Sequence, residues 1–233
     1  MNIRTFQPAY FVKRVRQFAC EKQHPDATMS DSTITITQAA AALQEAAVIQ
    51  DGRGFPNPYS KVERIRRALW VVVNAMLYRP VPRLLKGWHI TWLRLFGARL
   101  GRGTVVHPSA EIYFPWRLQT GDFCVIGDRV RIYSLGFIRI GDHTVISQHA
   151  HLCAGTHDYT LPHMPLIRSD IQIGRGCWIC ADAFVGPGVR VGDHTVIGAR
   201  SVVVKDMPAR MVCGGNPCRP LKPRATRLKA DPL

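Results

Sequence analysis

Cys177 and Cys180, in the stretch 176-GCWICADAF-184, form a C-x-x-C pair, and two more thiols follow at Cys213 and Cys218. Such a set could hold zinc or cycle a dithiol. Nine histidines offer further ligands or bases. The pairs 143/149, 151/157 and 157/163 are each separated by five residues, and no H-x-x-x-x-H occurs, so the histidines do not carry the spacing of a shared metal site. No metal is expected.

One histidine stands apart. His143 and His194 each occur in an Ile/Val-Gly-Asp-His-Thr context that repeats, which marks them as scaffold. His157 ends 152-LCAGTH-157, just before 158-DYTLPHMPLIRSD-170, a thirteen-residue stretch rich in Pro and His. A titratable group where a rigid frame meets a protruding loop is well placed to act as a general base. Cys153 is the rival nucleophile, and its place at a small, turn-forming position favours a structural role.

The frame is a six-residue repeat. From residue 173 the chain divides into IGRGCW, ICADAF, VGPGVR, VGDHTV, IGARSV and VVKDMP, each opening on Ile or Val. If Leu, Ile and Val fill about a quarter of positions, six such hits arise by chance roughly once in four thousand. The same beat runs through Leu100, Val106, Ile112 and Leu118, then Ile126, Ile132 and Ile138, then Ile140, Ile146 and Leu152. It slips by two residues after Leu118 and after Ile138, and 158–170 interrupts it once more. A hexad is too short for a helical repeat but suits a short strand and a turn. Three hexads make one coil of a triangular prism, so residues eighteen apart should stack. On that register Cys177 and Cys180 stack under Thr195 and Gly198, and no second thiol pair completes a four-ligand site.

Ahead of the ladder, 60-SKVERIRRALWVVVNAMLY-78 reads as a helix with a basic first half, ended by Pro80 and Pro82, and 85-LKGWHITWLRLFGARL-100 as a second. Two roles are open: covering the first coil, or presenting Trp and Arg to a membrane face. The longest apolar run, 68–77, contains Asn74 and is about half of what a spanning helix needs. The first twenty residues contain no apolar core of a secretory leader. A cytoplasmic protein with free thiols is expected, with peripheral contact at the inner membrane face as an option. With 31 Lys and Arg against 16 Asp and Glu, the charge of +15 favours an anionic partner. Aromatics do not interleave with the basic residues along one surface, which argues against a nucleic-acid partner.

The segment 152-LCAGTHDY-159, the run from Ile173 to Arg224 with its GGNP and CR motifs, and upstream 96-FGARLG-101 with 112-IYFPWRLQTGD-122 resemble the hexapeptide-repeat O-acetyltransferases. Within that family they resemble the colanic acid and exopolysaccharide biosynthesis group and, more distantly, the maltose and galactoside O-acetyltransferases. The resemblance implies an all-β core, a left-handed parallel β-helix with an N-terminal helical segment. The resemblance covers roughly residues 56–224; with 1–55, which has no coherent period, read as a largely disordered extension, the chain divides into that extension, a helical cap at 56–99, the β-helix at 100–208 and a basic tail at 209–233. The resemblance implies acetyl transfer from acetyl-CoA to a saccharide hydroxyl, with His157 as the base and no covalent intermediate. The acceptor would be lipid-linked or nucleotide-linked, and the assembly a homotrimer with active sites between chains. Trp178, Ala181, Ala199, Lys205, Arg219 and Lys222 match coenzyme-contacting positions, and Tyr133, Ser134 and Asp158 are candidates for the acceptor side. Val204 departs from the pattern, removing a Thr hydroxyl. A different acceptor such as an amino sugar, a carbonic anhydrase-like protein, a polyanion-binding module and a non-catalytic scaffold are the alternatives.

Overall fold

A computed structural model describes residues 59–225, apart from positions 83 and 162. The expectation for 1–55 and the last part of the basic tail lie outside the described residues. The chain coils into a three-faced parallel β-helix. The first face stacks β1 (Val105–Val106), β4 (Val125–Ile126), β7 (Val145–Ile146), β12 (Trp178–Ile179), β15 (Val196–Ile197) and β17 (Met211–Gly215). The second stacks β2 (Glu111–Ile112), β5 (Arg131–Tyr133), β8 (His151–Cys153), β13 (Phe184–Val185) and β16 (Val202–Val203). The third stacks β3 (Leu118–Thr120), β6 (Ile138–Ile140), β11 (Ile171–Ile173) and β14 (Arg190–Val191).

The expected eighteen-residue register holds only in the later coils, where Trp178 pairs with Val196 and Phe184 with Val202. Earlier coils are twenty residues long: Val105 pairs with Val125 and Val125 with Val145. The two-residue slips are therefore absorbed at a corner, coil by coil. His151 pairs with Phe184, thirty-three residues on, because the 158–170 insert lies between them. That insert is an antiparallel hairpin, with β9 (Gly155–His157) paired to β10 (Leu166–Arg168).

First hexad positions fill the interior, and Ile126, Ile132, Ile146, Leu152, Ile179 and Ile197 are all buried. Fourth positions turn the corners with positive φ, as at His143 (54°), Asp182 (58°) and His194 (58°), which confirms these histidines as turn residues. At Gly176 (φ 62°) a side chain is ruled out twice, since a Cβ there would lie 2.5 Å from the His194 ring on the next coil. Fifth positions form a column. The Thr144 hydroxyl donates to the Gly174 carbonyl and accepts from Cys177 N–H, while the Cys177 thiol donates to the Gly192 carbonyl at 3.1 Å. Thr104, Cys124 and Thr195 repeat the pattern in their own coils.

Neighbouring coils exchange hydrogen bonds in both directions: Val105 N–H donates forward to the Cys124 carbonyl, and Thr120 N–H donates back to the Arg99 carbonyl. The outward-facing backbone groups of the first coil are left at an open end. Two helices close it, α1 (Lys61–Val73), which runs on into a π-helical turn at Asn74–Tyr78, and α2 (Lys86–Leu95). Ser60 caps α1 by accepting from Glu63 N–H, a capping-box spacing. Trp70, Tyr78 and Leu93 join the core formed with Val106 and Ile112. The Trp70 indole donates to the Ile112 carbonyl at 2.7 Å, so the helices do cover the first coil. Among the described residues no helix is long and apolar enough to cross a membrane. At the other end the expected tail is instead ordered into β18 (Cys218–Pro223), antiparallel to β17.

Trp70→Ala should destabilise the protein by about 3–5 kcal/mol, the range for removing a buried aromatic. Trp70→Phe keeps most of the volume but strands the Ile112 carbonyl, and should cost about 1–3 kcal/mol. Equilibrium denaturation of both variants checks the order.

Candidate functional site

His157 ends β9, where the hairpin leaves the prism edge between the second and third faces. Its root is rigid. A Cβ on Gly155 would lie 2.4 Å from the Leu135 side chain, so the strand starts flush against the core. Ser169 N–H donates to the Ala154 carbonyl where the hairpin returns. The imidazole itself is exposed, and its Nδ1 lies 2.6 Å from the Met164 carbonyl across the hairpin. A carbonyl can only accept, so Nδ1 carries the proton and Nε2 presents a lone pair outward. The arrangement can take a proton from a bound hydroxyl.

Asp158 does not orient this ring. Its carboxylate accepts from the Thr160 N–H at 3.0 Å and from the Thr160 hydroxyl, and these bonds hold it below the usual carboxylate range. Cys153 donates to the Gly155 carbonyl at 3.3 Å. Tyr133 pairs with Cys153 one coil on and packs edge-on against Tyr113 at 4.8 Å, partly exposed. Burial, the largest cause, raises its phenol above the ordinary value. Ser134 is buried, and its hydroxyl both accepts from the Phe114 N–H and donates to the Phe114 carbonyl. Of the three acceptor-side candidates, Ser134 alone is closed off from a ligand.

The coenzyme candidates are divided between two regions. Trp178 stands on the first face, 47% exposed, with its indole donating to the Ser147 hydroxyl at 2.9 Å. Ala181 and Ala199 lie at the corner where the first face turns into the second, whereas Lys205 follows β16 at the edge between the second and third faces, the edge that carries the His157 hairpin. Arg219 and Lys222 lie on β18 beside the first face. Lys205, Arg219 and Lys222 are exposed, and none makes an ion pair with another described residue. In a triangular prism the edge between two faces lies opposite the third. His157 and Trp178 therefore sit on opposite sides of a single chain.

The thiols form no centre. Burial pushes Cys177, Cys180 and Cys218 upward and Cys213 up to about 11, which disfavours the thiolate that metal binding and disulfide exchange need. Among the described residues no three His, Cys, Asp or Glu side chains converge as metal ligands. Sequence reasoning missed the Met164 carbonyl and Ser147. A backbone acceptor leaves no mark in residue types, and Met164 lies in the connection just before β10.

His151 lies on the second face, edge-on to Phe184 at 5.4 Å, and its buried Nε2 has no hydrogen-bond partner among the described residues. Burial first, then Arg131, lowers its pKa below the ordinary value near 6.5. The unfolded chain therefore takes up this proton before the folded one does, and stability should fall as pH drops through about 6.5. His151→Gln should flatten that slope between about pH 7 and 5, as read by denaturation at a series of pH values.

The comparisons with known proteins agree with the coil. Residues 170–205 match the family model described as bacterial transferase hexapeptide (six repeats). Over 178 residues the chain is 44% identical to an Escherichia coli (strain K12) protein named as a colanic acid biosynthesis acetyltransferase, WcaF; the match covers 76% of this chain and 98% of that one. A solved maltose O-acetyltransferase from Clostridium difficile 630 superposes with TM-score 0.67 at 23% identity, covering 78% of this chain and 98% of that one. A galactoside acetyltransferase in complex with coenzyme A superposes with TM-score 0.66 at 21% identity, covering 72% and 86%. At those identities the structural likeness is one of fold, and the WcaF match carries the kinship. The chain belongs to the hexapeptide-repeat acetyltransferases, the family that includes the colanic acid biosynthesis enzymes.

Proposed function

We propose that the protein moves acetyl from acetyl-CoA to a hydroxyl of a saccharide, lipid-linked or nucleotide-linked, in the synthesis of a surface polysaccharide. The observation that carries the reading is the His157 ring, fixed by Met164 with Nε2 free at the rim of a rigid edge. The name of the WcaF relative supports the pathway class, and the coenzyme A bound to the galactoside enzyme supports the donor.

An alcohol does not ionise at neutral pH, so its attack needs a base that takes the proton as the new bond forms. His157 takes it at Nε2, and the Met164 carbonyl steadies the imidazolium that results. Bound acetyl-CoA supplies the thioester carbonyl that the acceptor oxygen attacks; the C–O ester bond forms, the C–S bond breaks, and the departing coenzyme thiolate takes up the proton held on His157. Trp178 offers a flat apolar surface beside Ala181 and Ala199, where small side chains let a ligand approach. Lys205, Arg219 and Lys222 offer free cations for the phosphates. Tyr133 is the acceptor-side group with a reachable hydroxyl.

Since His157 and Trp178 lie on opposite sides of one chain, the reading requires a neighbouring copy, in a trimer whose sites lie between prisms. The enzyme would work in the cytoplasm. A covalent route through Cys153 is less well supported, since its thiol is already engaged by Gly155.

His157→Ala should lower acetyl transfer by about 10²–10⁴-fold, followed as thiol release with a panel of acceptor sugars, while Cys153→Ser should stay within a few-fold of wild type. Full activity in His157→Ala, or a trapped acyl-enzyme lost in Cys153→Ser, would overturn the mechanism. Chains carrying His157→Ala and chains carrying Trp178→Ala should each be inactive alone and regain activity when co-assembled. Mixed oligomers that stay inactive would exclude the shared site.

A further inference from the structure

The two helices that close the prism use only one face to do so. On α1, Glu63, Arg66 and Trp70 turn inward, as does Tyr78 at the end of the π-helical turn: Arg66 donates to the Phe96 carbonyl and lies over the Trp116 ring, and Trp70 and Tyr78 are buried. A second face, about 100° around the helix, is apolar and exposed. Val62, Ile65, Leu69, Val72 and Met76 recur at alternating spacings of three and four, all exposed, from 54% at Val72 to 75% at Val62. Leu84 in the connection is 91% exposed, and Trp88 and Leu95 on α2 are exposed as well. So much apolar surface on two adjacent helices marks a place where water is meant to be displaced.

The charge around it selects the partner. Residues 59–99 contain nine Lys and Arg against a single acidic residue, Glu63. That one carboxylate faces away from the bare side, where it pairs with Arg117 and with Arg168 and is 13% exposed. Lys61 and Arg64 are exposed beside the apolar stripe. A second copy docking face to face would bring two such basic surfaces together with no acid to separate them, which disfavours self-association here. An apolar stripe bordered by basic residues, with a Trp at its margin, fits the interfacial region of an anionic bilayer.

We propose that the outer face of the α1–α2 cap docks on an anionic phospholipid surface and holds the prism there. The proposal goes beyond acetyl transfer and does not depend on it. The Glu63–Arg168 pair links α1 directly to β10, so the docked face and the His157 hairpin share a rigid connection. An enzyme held in this way would meet acceptors anchored in the same membrane.

The test uses the full chain and vesicles of phosphatidylcholine with or without phosphatidylglycerol, read by co-sedimentation. Wild type should bind the anionic vesicles, bind pure phosphatidylcholine poorly, and lose affinity as salt rises. Leu69→Glu with Val72→Glu, and separately Lys61→Glu with Arg64→Glu, should each weaken binding by about tenfold or more. Both variants should keep the wild-type melting transition; if the first pair fails to fold, the second carries the test. Equal binding to both vesicle types, or variants that bind like wild type, would overturn the proposal. A change in solution mass by light scattering in either variant would also overturn it, by making the face a subunit interface.

Discussion

Every inner coil of the prism is hydrogen-bonded to the coils on both sides of it: Val125 N–H donates forward to the Thr144 carbonyl, and Phe123 N–H donates back to the Arg102 carbonyl. Each coil is therefore fixed by its two neighbours, and none can shift along the stack without breaking bonds on both sides. The corners must then turn within a residue or two, which brings positive φ to many fourth hexad positions, filled by Gly at 176 under the His194 ring and by Phe123 stacked on His143 in an earlier coil. The interior follows from the same stacking. One apolar side chain per hexad points inward, and the small fifth-position residues keep their own polar atoms occupied with carbonyls of neighbouring coils.

A frame of this kind has little freedom to adapt around a ligand, so chemistry has to be added where the coil is interrupted. The β9–β10 hairpin is that addition. It begins against Leu135, crosses out to His157 and returns within bonding distance of Ala154. The residue that holds the imidazole is supplied by the hairpin's own returning arm, so ring orientation is set locally. Its position on the frame is set by the prism edge. These two contributions explain how an exposed histidine can be both accessible and well defined in direction.

The ladder was legible in the sequence because its period is strict and its first position is almost always Ile, Val or Leu. The place of His157 was legible too, since it stands where the period stops. The small-residue position of Cys177 was legible in the hexads, but the column it forms, over Thr144 and under Thr195, could only be suggested by sequence. The twenty-residue coils were half visible: the two-residue slips stood out, but their effect on stacking depended on how the corners absorb them. What stayed hidden was whatever depended on backbone atoms. The hold of Met164 on His157, the occupation of Ser134 by Phe114, and the strand formed by 218–223 all rest on groups that every residue carries alike.

The ordered C-terminal strand has a further consequence. An uncovered parallel coil exposes alternating N–H and C=O groups at either end of the stack, each end able to accept another coil from a different molecule and to start a fibre. The chain blocks the two ends by unlike means. Helices cover the first coil, where an indole takes one of the open acceptors, and at the far end β18 runs backward along β17, so that edge of the first face no longer continues a parallel ladder. A stack built from identical rungs is in this way given a definite length.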